Sequence, residues 1–116
     1  DPNCGYCKRL HRELAKMDDL TVHVFLIPVL GPDSVEKSNR IWCAKDKAKT
    51  YSDWMVGNRP PDAATCDLGA IERNSRLAAR HNIKGTPTMI FADNPRVPGY
   101  ITADRIEAML KEAQPR

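Results

Sequence analysis

Two cysteines two residues apart, Cys4 and Cys7 in the opening DPNCGYCKRL, constrain this chain more than any other feature. A Cys-x-x-Cys can supply half of a zinc site, close a small structural disulfide, or trade electrons with another protein. Zinc asks for four ligands, hence a second close pair of Cys or His. Cys43 and Cys66 are not close to each other in sequence, and His11, His23 and His81 are scattered. A staple between Cys4 and Cys7 would close a very short loop. The entropy it removes from the unfolded chain grows with loop size, so it would stabilise little. Redox chemistry uses more of what the segment offers. Cys7, Leu10, Leu14 and Met17 recur at three- and four-residue steps, which predicts a helix from Cys4 to about Met17. Asp1 and Asn3 stand where a helix start favours acceptors. A cysteine in the first turn faces the positive end of the helix dipole and unpaired N–H groups. Both stabilise a thiolate, the attacking species. On this reading Cys4 is the exposed nucleophile, and Cys7, one turn on and within the apolar stripe, is buried and attacks second. Gly5 leaves room for an incoming chain, and Tyr6 offers an aromatic surface beside the sulfur. Lys8 could add positive potential, but a lone lysine here reads first as one charge on a solvated face. His11 reads as a surface or boundary residue before a proton shuttle.

The remaining pattern is that of one α/β domain. Leu20 to Val29 (LTVHVFLIPV) is β-branched and almost continuously apolar, which predicts a strand buried on both faces. Asp33 with Glu36 resembles a capping box, with Asp in place of Ser or Thr. Val35, Ile41, Trp42, Ala48, Tyr51, Trp54 and Met55 predict a broken helical region, which the GNRPP run at 57–61 ends. Asp67 to His81 predicts another helix, with Asn82 suited to the left-handed position at its end. Thr88 to Ala92 is a predicted strand, Asp93-Asn94-Pro95 a turn, and Val97 to Ile101 a hairpin partner. Thr102 caps a last helix with Ile106, Met109, Leu110 and Ala113 as its buried stripe.

The formal net charge is +3 and its signs are mixed along the chain, with no basic block, so nucleic acid is a weak candidate partner. No apolar run approaches the roughly 20 residues a bilayer-spanning helix needs. The four cysteines allow three pairings, and sequence alone does not choose among them.

The segment IKGTPTMIF puts Thr86-Pro87 just ahead of a predicted strand, where a proline is tolerated because no ladder bond is lost. Cys-Gly-Tyr-Cys at 4–7, this Thr-Pro and the order of elements resemble the thioredoxin superfamily. CGYCKRLH, IWCAKDKAK (41–49), TCDL (65–68), GTPT (85–88) and VPGY (97–100) narrow the likeness to the catalytic domain of DsbC-type disulfide isomerases, over nearly the whole chain. The resemblance implies a thioredoxin-like α/β fold over residues 1–116, with a helical insertion at about 33–82. It implies that Cys4 is the nucleophile and Cys7 the resolving cysteine, and that Pro87 is cis and packed against them. The backbone of Thr86 would pair with an extended client segment that also meets Gly5 and Tyr6. Cys43 and Cys66 would form a second, non-catalytic disulfide. Its loop of about 24 residues corresponds to roughly 3 kcal/mol of closure entropy, two buried free thiols being the alternative. The implied partners are misoxidised client proteins and a membrane reductase of the DsbD type. The implied compartment is the periplasm, and no metal or organic cofactor is required. A disulfide-donating oxidase would use the same residues at another redox poise, and a chaperone-like module would use Cys-x-x-Cys only as a staple.

Two departures accompany the resemblance. DsbC-type proteins carry an N-terminal dimerisation domain and a linker helix, which residues 1–116 do not contain. Reductase or oxidase activity is therefore expected to survive in this domain better than isomerase activity. Only Asp1-Pro2-Asn3 precede Cys4, where a thioredoxin fold has a strand. The predicted strands at 20–29 and 88–92 are then expected to face a gap with unpaired backbone groups, unless the natural protein continues upstream or another segment fills the slot.

Overall fold

The computed structural model describes residues 1–92 and 95–112. Its elements follow in the order α1 (Gly5–Leu14), α2 (Pro32–Cys43), α3 (Lys47–Met55), α4 (Gly69–Arg80), β1 (Thr88–Ile90), β2 (Arg96–Pro98) and α5 (Ala103–Glu112). Local chemistry accounts for most of the boundaries. α1 stops at Leu14, earlier than its apolar stripe suggests. Two tighter bonds, Lys16 N–H to Glu13 O and Met17 N–H to Leu14 O, end its last turn, and Asp19 enters the left-handed region at φ 57°. α2 opens with Pro32 at its first turn, where a missing N–H forfeits no helical bond. Gly31 precedes it at φ 99°, a conformation that glycine adopts without steric cost. The capping role expected of Asp33 is not made, because Asp33 lies inside the helix. Its carboxylate pairs with Lys37 one turn on and accepts a 2.7 Å bond from Asn3 Nδ2.

The helical region breaks at residues 44–46. Asp46 starts α3 by accepting the Lys49 N–H at 3.1 Å. Asn82 takes the left-handed position after α4, at φ 56°. β1 and β2 form an antiparallel hairpin with Thr88 opposite Pro98, Met89 opposite Val97 and Ile90 opposite Arg96. Asp93 and Asn94 of the expected turn, and Ala113 of the last helix, lie outside the described residues.

Two apolar clusters share α1. Leu10 joins Phe91 and Ile106, with Met89, Val97, Tyr100 and Met109 against them, and so fastens α1 to the hairpin and α5. Cys4 and Cys7 join Met55, with Tyr51 and Trp54 around them, and so fasten the start of α1 to α3. A disulfide between Cys43 and Cys66 ties the end of α2 to the segment ahead of α4.

Residues 20–29 correct the sequence reading. They form no strand, and of their large apolar side chains only Leu26 is buried, while Val22, Val24, Phe25 and Val29 are exposed. β-branched residues favour extended backbone, but a strand exists only where a neighbour completes its ladder. Among the described residues the segment is held instead by side chains. Asn74 Nδ2 donates to Leu26 O at 3.2 Å, and Asp1 accepts the Val29 and Leu30 amides.

Ile106 is 2% exposed at the centre of the larger cluster. Ile106→Ala is expected to cost roughly 2–5 kcal/mol in denaturant unfolding, from lost burial and the cavity left behind. Val24→Thr, on the exposed segment, is expected to change stability by less than about 0.5 kcal/mol in the same measurement.

Candidate functional site

The N-cap of α1 is Cys4 itself, not Asp1 or Asn3. Its backbone is extended (φ −80°, ψ 120°), and its Sγ accepts the Cys7 N–H at 3.2 Å. The sulfur takes the place a serine or aspartate oxygen usually holds at a helix start. The expectation of an exposed Cys4 is corrected: it is 8% exposed, against 3% for Cys7. Its Sγ turns toward the loop ahead of β1 and donates to Thr86 O at 3.4 Å. Both thiols are free.

Their acidities separate. Burial pushes the Cys4 thiol up, but hydrogen bonding with the Cys7 and Thr86 side chains and with the Cys7 amide outweighs it. Cys4 therefore lies below an ordinary thiol. Burial, then the bond with Cys4, pushes Cys7 up to about 11. The sulfur nearer the surface carries charge more readily, and the deeper one keeps its proton.

The other predicted residues fall into two groups. Thr86 meets Cys4 across 82 residues of sequence, Pro87 is buried, and the Thr86–Pro87 peptide is cis. Gly5 is exposed with open space where a side chain would project, and Tyr6 is exposed beside it. Cys43 and Cys66 are bonded to each other and lie outside this cluster. Among the described residues no group of three or more His, Cys, Asp or Glu is arranged to hold a metal ion.

Sequence reasoning missed the part played by α3. Tyr51, Trp54 and Met55 read only as helical apolar positions, yet they wall the two thiols. Trp54 Nε1 donates to Pro2 O at 2.6 Å, so α3 also grips the chain just ahead of Cys4. Lys8 Nζ lies 3.6 Å above the Trp54 ring and donates to Asn58 Oδ1 at 2.9 Å, so it is more than a solvated charge. Burial, with Lys37 and Arg12 nearby, holds its pKa below the usual lysine value. His11 is half-buried, at the boundary the sequence suggested. Its Nε2 shares a 2.7 Å hydrogen bond with Tyr51 OH, and the two rings meet edge to face at 4.8 Å. Burial pushes the imidazole down to about 4 and the Tyr51 phenol up. No local signal marks these contacts, because spacing within one helix does not say which helix it will meet.

An N-cap cysteine of lowered pKa beside a deeper thiol, with a Thr-cis-Pro backbone against the outer sulfur, is an arrangement suited to thiol–disulfide exchange. The chain belongs to the thioredoxin-like domain family, whose profile matches residues 1–114. It is 47% identical over 110 residues to a protein of Bordetella parapertussis named probable thiol:disulfide interchange protein DsbC, covering 95% of this chain and 39% of that one. It is 36% identical over 118 residues to the thiol:disulfide interchange protein DsbC of Escherichia coli K12, covering 98% of this chain and 49% of that one. The chain thus spans between two-fifths and half of the length of these curated relatives. The crystal structure of a disulfide interchange protein from Neisseria gonorrhoeae superposes with a TM-score of 0.93 at 34% identity, over 100% of this chain and 84% of that one.

The His11 environment sets a pH dependence. Its folded pKa of about 4 lies below the ordinary 6.5, so between these values the unfolded chain binds a proton that the folded chain does not. Stability is therefore expected to fall as pH drops through that window, by up to about 3 kcal/mol from this group. Denaturant unfolding at both ends of the window, in wild type and His11→Gln, isolates the contribution, because the carboxylates titrate alike in both.

Proposed function

We propose that this domain is a thiol–disulfide oxidoreductase that reduces or isomerises incorrect disulfides in client proteins. The observation that carries the reading is the asymmetry of the pair: Cys4 Sγ is held by the Cys7 N–H, and Cys7 lies deeper and keeps its proton. The Cys4 thiolate attacks one sulfur of a client disulfide. A Cys4–client disulfide forms, the client S–S bond breaks, and the other client sulfur leaves as a thiolate. Two routes follow. A client thiolate attacks the mixed disulfide, which returns Cys4 as thiolate and leaves the client with a rearranged pairing and no net electron transfer. Alternatively Cys7 loses its proton and attacks Cys4. The client then leaves reduced by two electrons, and the enzyme holds a Cys4–Cys7 disulfide. A membrane reductase of the DsbD type would restore the dithiol.

In this reading the Thr86 backbone, ahead of Pro87, pairs with an extended client segment by strand addition. That contact reads main chain and tolerates many sequences. The open face at Gly5 and the exposed Tyr6 ring give the client room beside the sulfur. Cys43–Cys66 is structural, closing a loop across a separation of 23 residues. The names of the relatives support the activity, and the resemblance to DsbC-type proteins implies a periplasmic setting. Residues 1–116 would then be the catalytic domain of a longer protein, dimerised through an upstream domain. The exposed apolar side chains of Val22, Val24 and Phe25 support a further segment that covers this stretch.

Trapping tests the mechanism. With the enzyme reduced and the client carrying scrambled disulfides, Cys7→Ala is expected to accumulate a covalent enzyme–client adduct that dithiothreitol releases, because the second route is lost. Cys4→Ala is expected to give no adduct and no turnover. Equal adduct from both variants would remove the assignment of Cys4 as nucleophile.

A further inference from the structure

The three residues ahead of Cys4 are anchored from several directions at once. Asp1 is 7% exposed, a depth at which a carboxylate needs partners. Oδ1 accepts the Asn3 N–H at 2.8 Å and the Ser34 hydroxyl at 2.9 Å. Oδ2 accepts the Val29 N–H at 2.6 Å and the Leu30 N–H at 2.9 Å. Four donors match the acceptor capacity of an ionised carboxylate. They come from the lead-in itself, from the end of the unpaired 20–30 segment and from the first turn of α2. The same lead-in is gripped at its other residues. Pro2 O accepts from Trp54 on α3, Asn3 Nδ2 donates to Asp33 on α2, and Asp1 O accepts the Cys4 N–H at 3.3 Å. Whether Cys4 Sγ reaches the Cys7 amide depends on where residues 1–3 hold its backbone.

We propose that Asp1 is a positioning residue for thiol exchange: by gathering Val29, Leu30 and Ser34 onto the lead-in, its carboxylate holds Cys4 in the extended cap conformation from which Sγ meets the Cys7 N–H. The inference rests on the reading of Cys4 as the attacking thiolate. It differs from a purely electrostatic role by sign. As a bare negative charge near the sulfur, Asp1 would oppose the thiolate, and its neutralisation would make Cys4 more acidic. As a clamp, its loss frees the cap, weakens the amide bond to the sulfur and makes Cys4 less acidic. Asparagine is a poor substitute, because its NH₂ would confront amide donors where Oδ2 now accepts two. Ser34 is fully buried and uncharged, so it reports on the clamp alone. The charged and titratable groups around the thiol pair, Cys7 on α1, Tyr51 on α3 and the Asp1 α-ammonium 3.9 Å from Cys7 Sγ, remain in every variant.

The test is the pH profile of iodoacetamide alkylation at Cys4, followed on its own peptide by mass spectrometry, in wild type, Asp1→Asn and Ser34→Ala. Wild type is expected to show a midpoint below the ordinary thiol value of about 8.5. Asp1→Asn is expected to raise it by about one pH unit, a roughly tenfold smaller thiolate fraction on the acid side. Ser34→Ala is expected to move it in the same direction by less, and it decides the matter if Asp1→Asn does not fold. An acidic wild type with unchanged midpoints in the folded variants overturns the positioning role and leaves Cys4 as the nucleophile. A fall in the Asp1→Asn midpoint overturns it in favour of the charge effect. An ordinary midpoint in wild type overturns both the role of Cys4 and that of Asp1.

Discussion

The bond from the Cys7 N–H to Cys4 Sγ, 3.2 Å long, is where the local and tertiary demands on this domain meet. A helix start leaves backbone donors without partners, and here a sulfur supplies one acceptor. That choice places a soft nucleophile at the positive end of α1 and puts the second thiol on the buried face of the same turn. Separation of the two acidities follows from this geometry. Cys4 gains hydrogen bonds that favour its anion, while Cys7 is buried and keeps its proton. The rest of the structure supplies what one helix cannot. Thr86 reaches Cys4 from the loop ahead of β1, and Tyr51, Trp54 and Met55 wall the pair from α3.

The helices between residues 32 and 55 do more than decorate the domain. α2 contributes Ser34 and Asp33 to the lead-in, and α3 contributes Trp54 to the carbonyl of Pro2. The Cys43–Cys66 disulfide ties α2 to the chain just before α4, which limits how far those anchors can drift. A disulfide outside the Cys4–Cys7 cluster thus bears on the three residues that precede Cys4. His11 and Tyr51 form the complementary contact, an imidazole held against a phenol that joins α1 to α3.

Much of this was legible from the residues. The stripe Cys7–Leu10–Leu14 located α1, the period around Ile71 and Ala78 located α4, and Thr102 with Ile106 located α5, because a helix buries one face whatever it packs against. The hairpin was legible from β-propensity flanking a turn. Residues 20–29 were misread for the same reason that β1 was not: propensity describes the backbone of one segment, while a ladder requires two. The burial of Cys4 was invisible because its cover comes from Thr86, far along the chain, and Asp33 was misplaced because Gly31 and Pro32 start α2 before it. Spacing left three cysteine pairings open, and likeness to relatives, not geometry, singled out Cys43 with Cys66. The work of Asp1 was hidden behind a simpler role, since an acidic residue ahead of a helix looks like a cap.

The central claim is that one cysteine pair exchanges and the other holds the fold. A redox titration of the purified protein in glutathione buffers, with mass-spectrometric mapping of the cysteines blocked at each ratio, tests it most directly. The account predicts that Cys4–Cys7 opens under mild reduction while Cys43–Cys66 stays closed until conditions are far more reducing. Opening of both pairs together, or a Cys4–Cys7 bond that resists as strongly as Cys43–Cys66, would contradict it and leave Cys-x-x-Cys as a staple at the start of a helix.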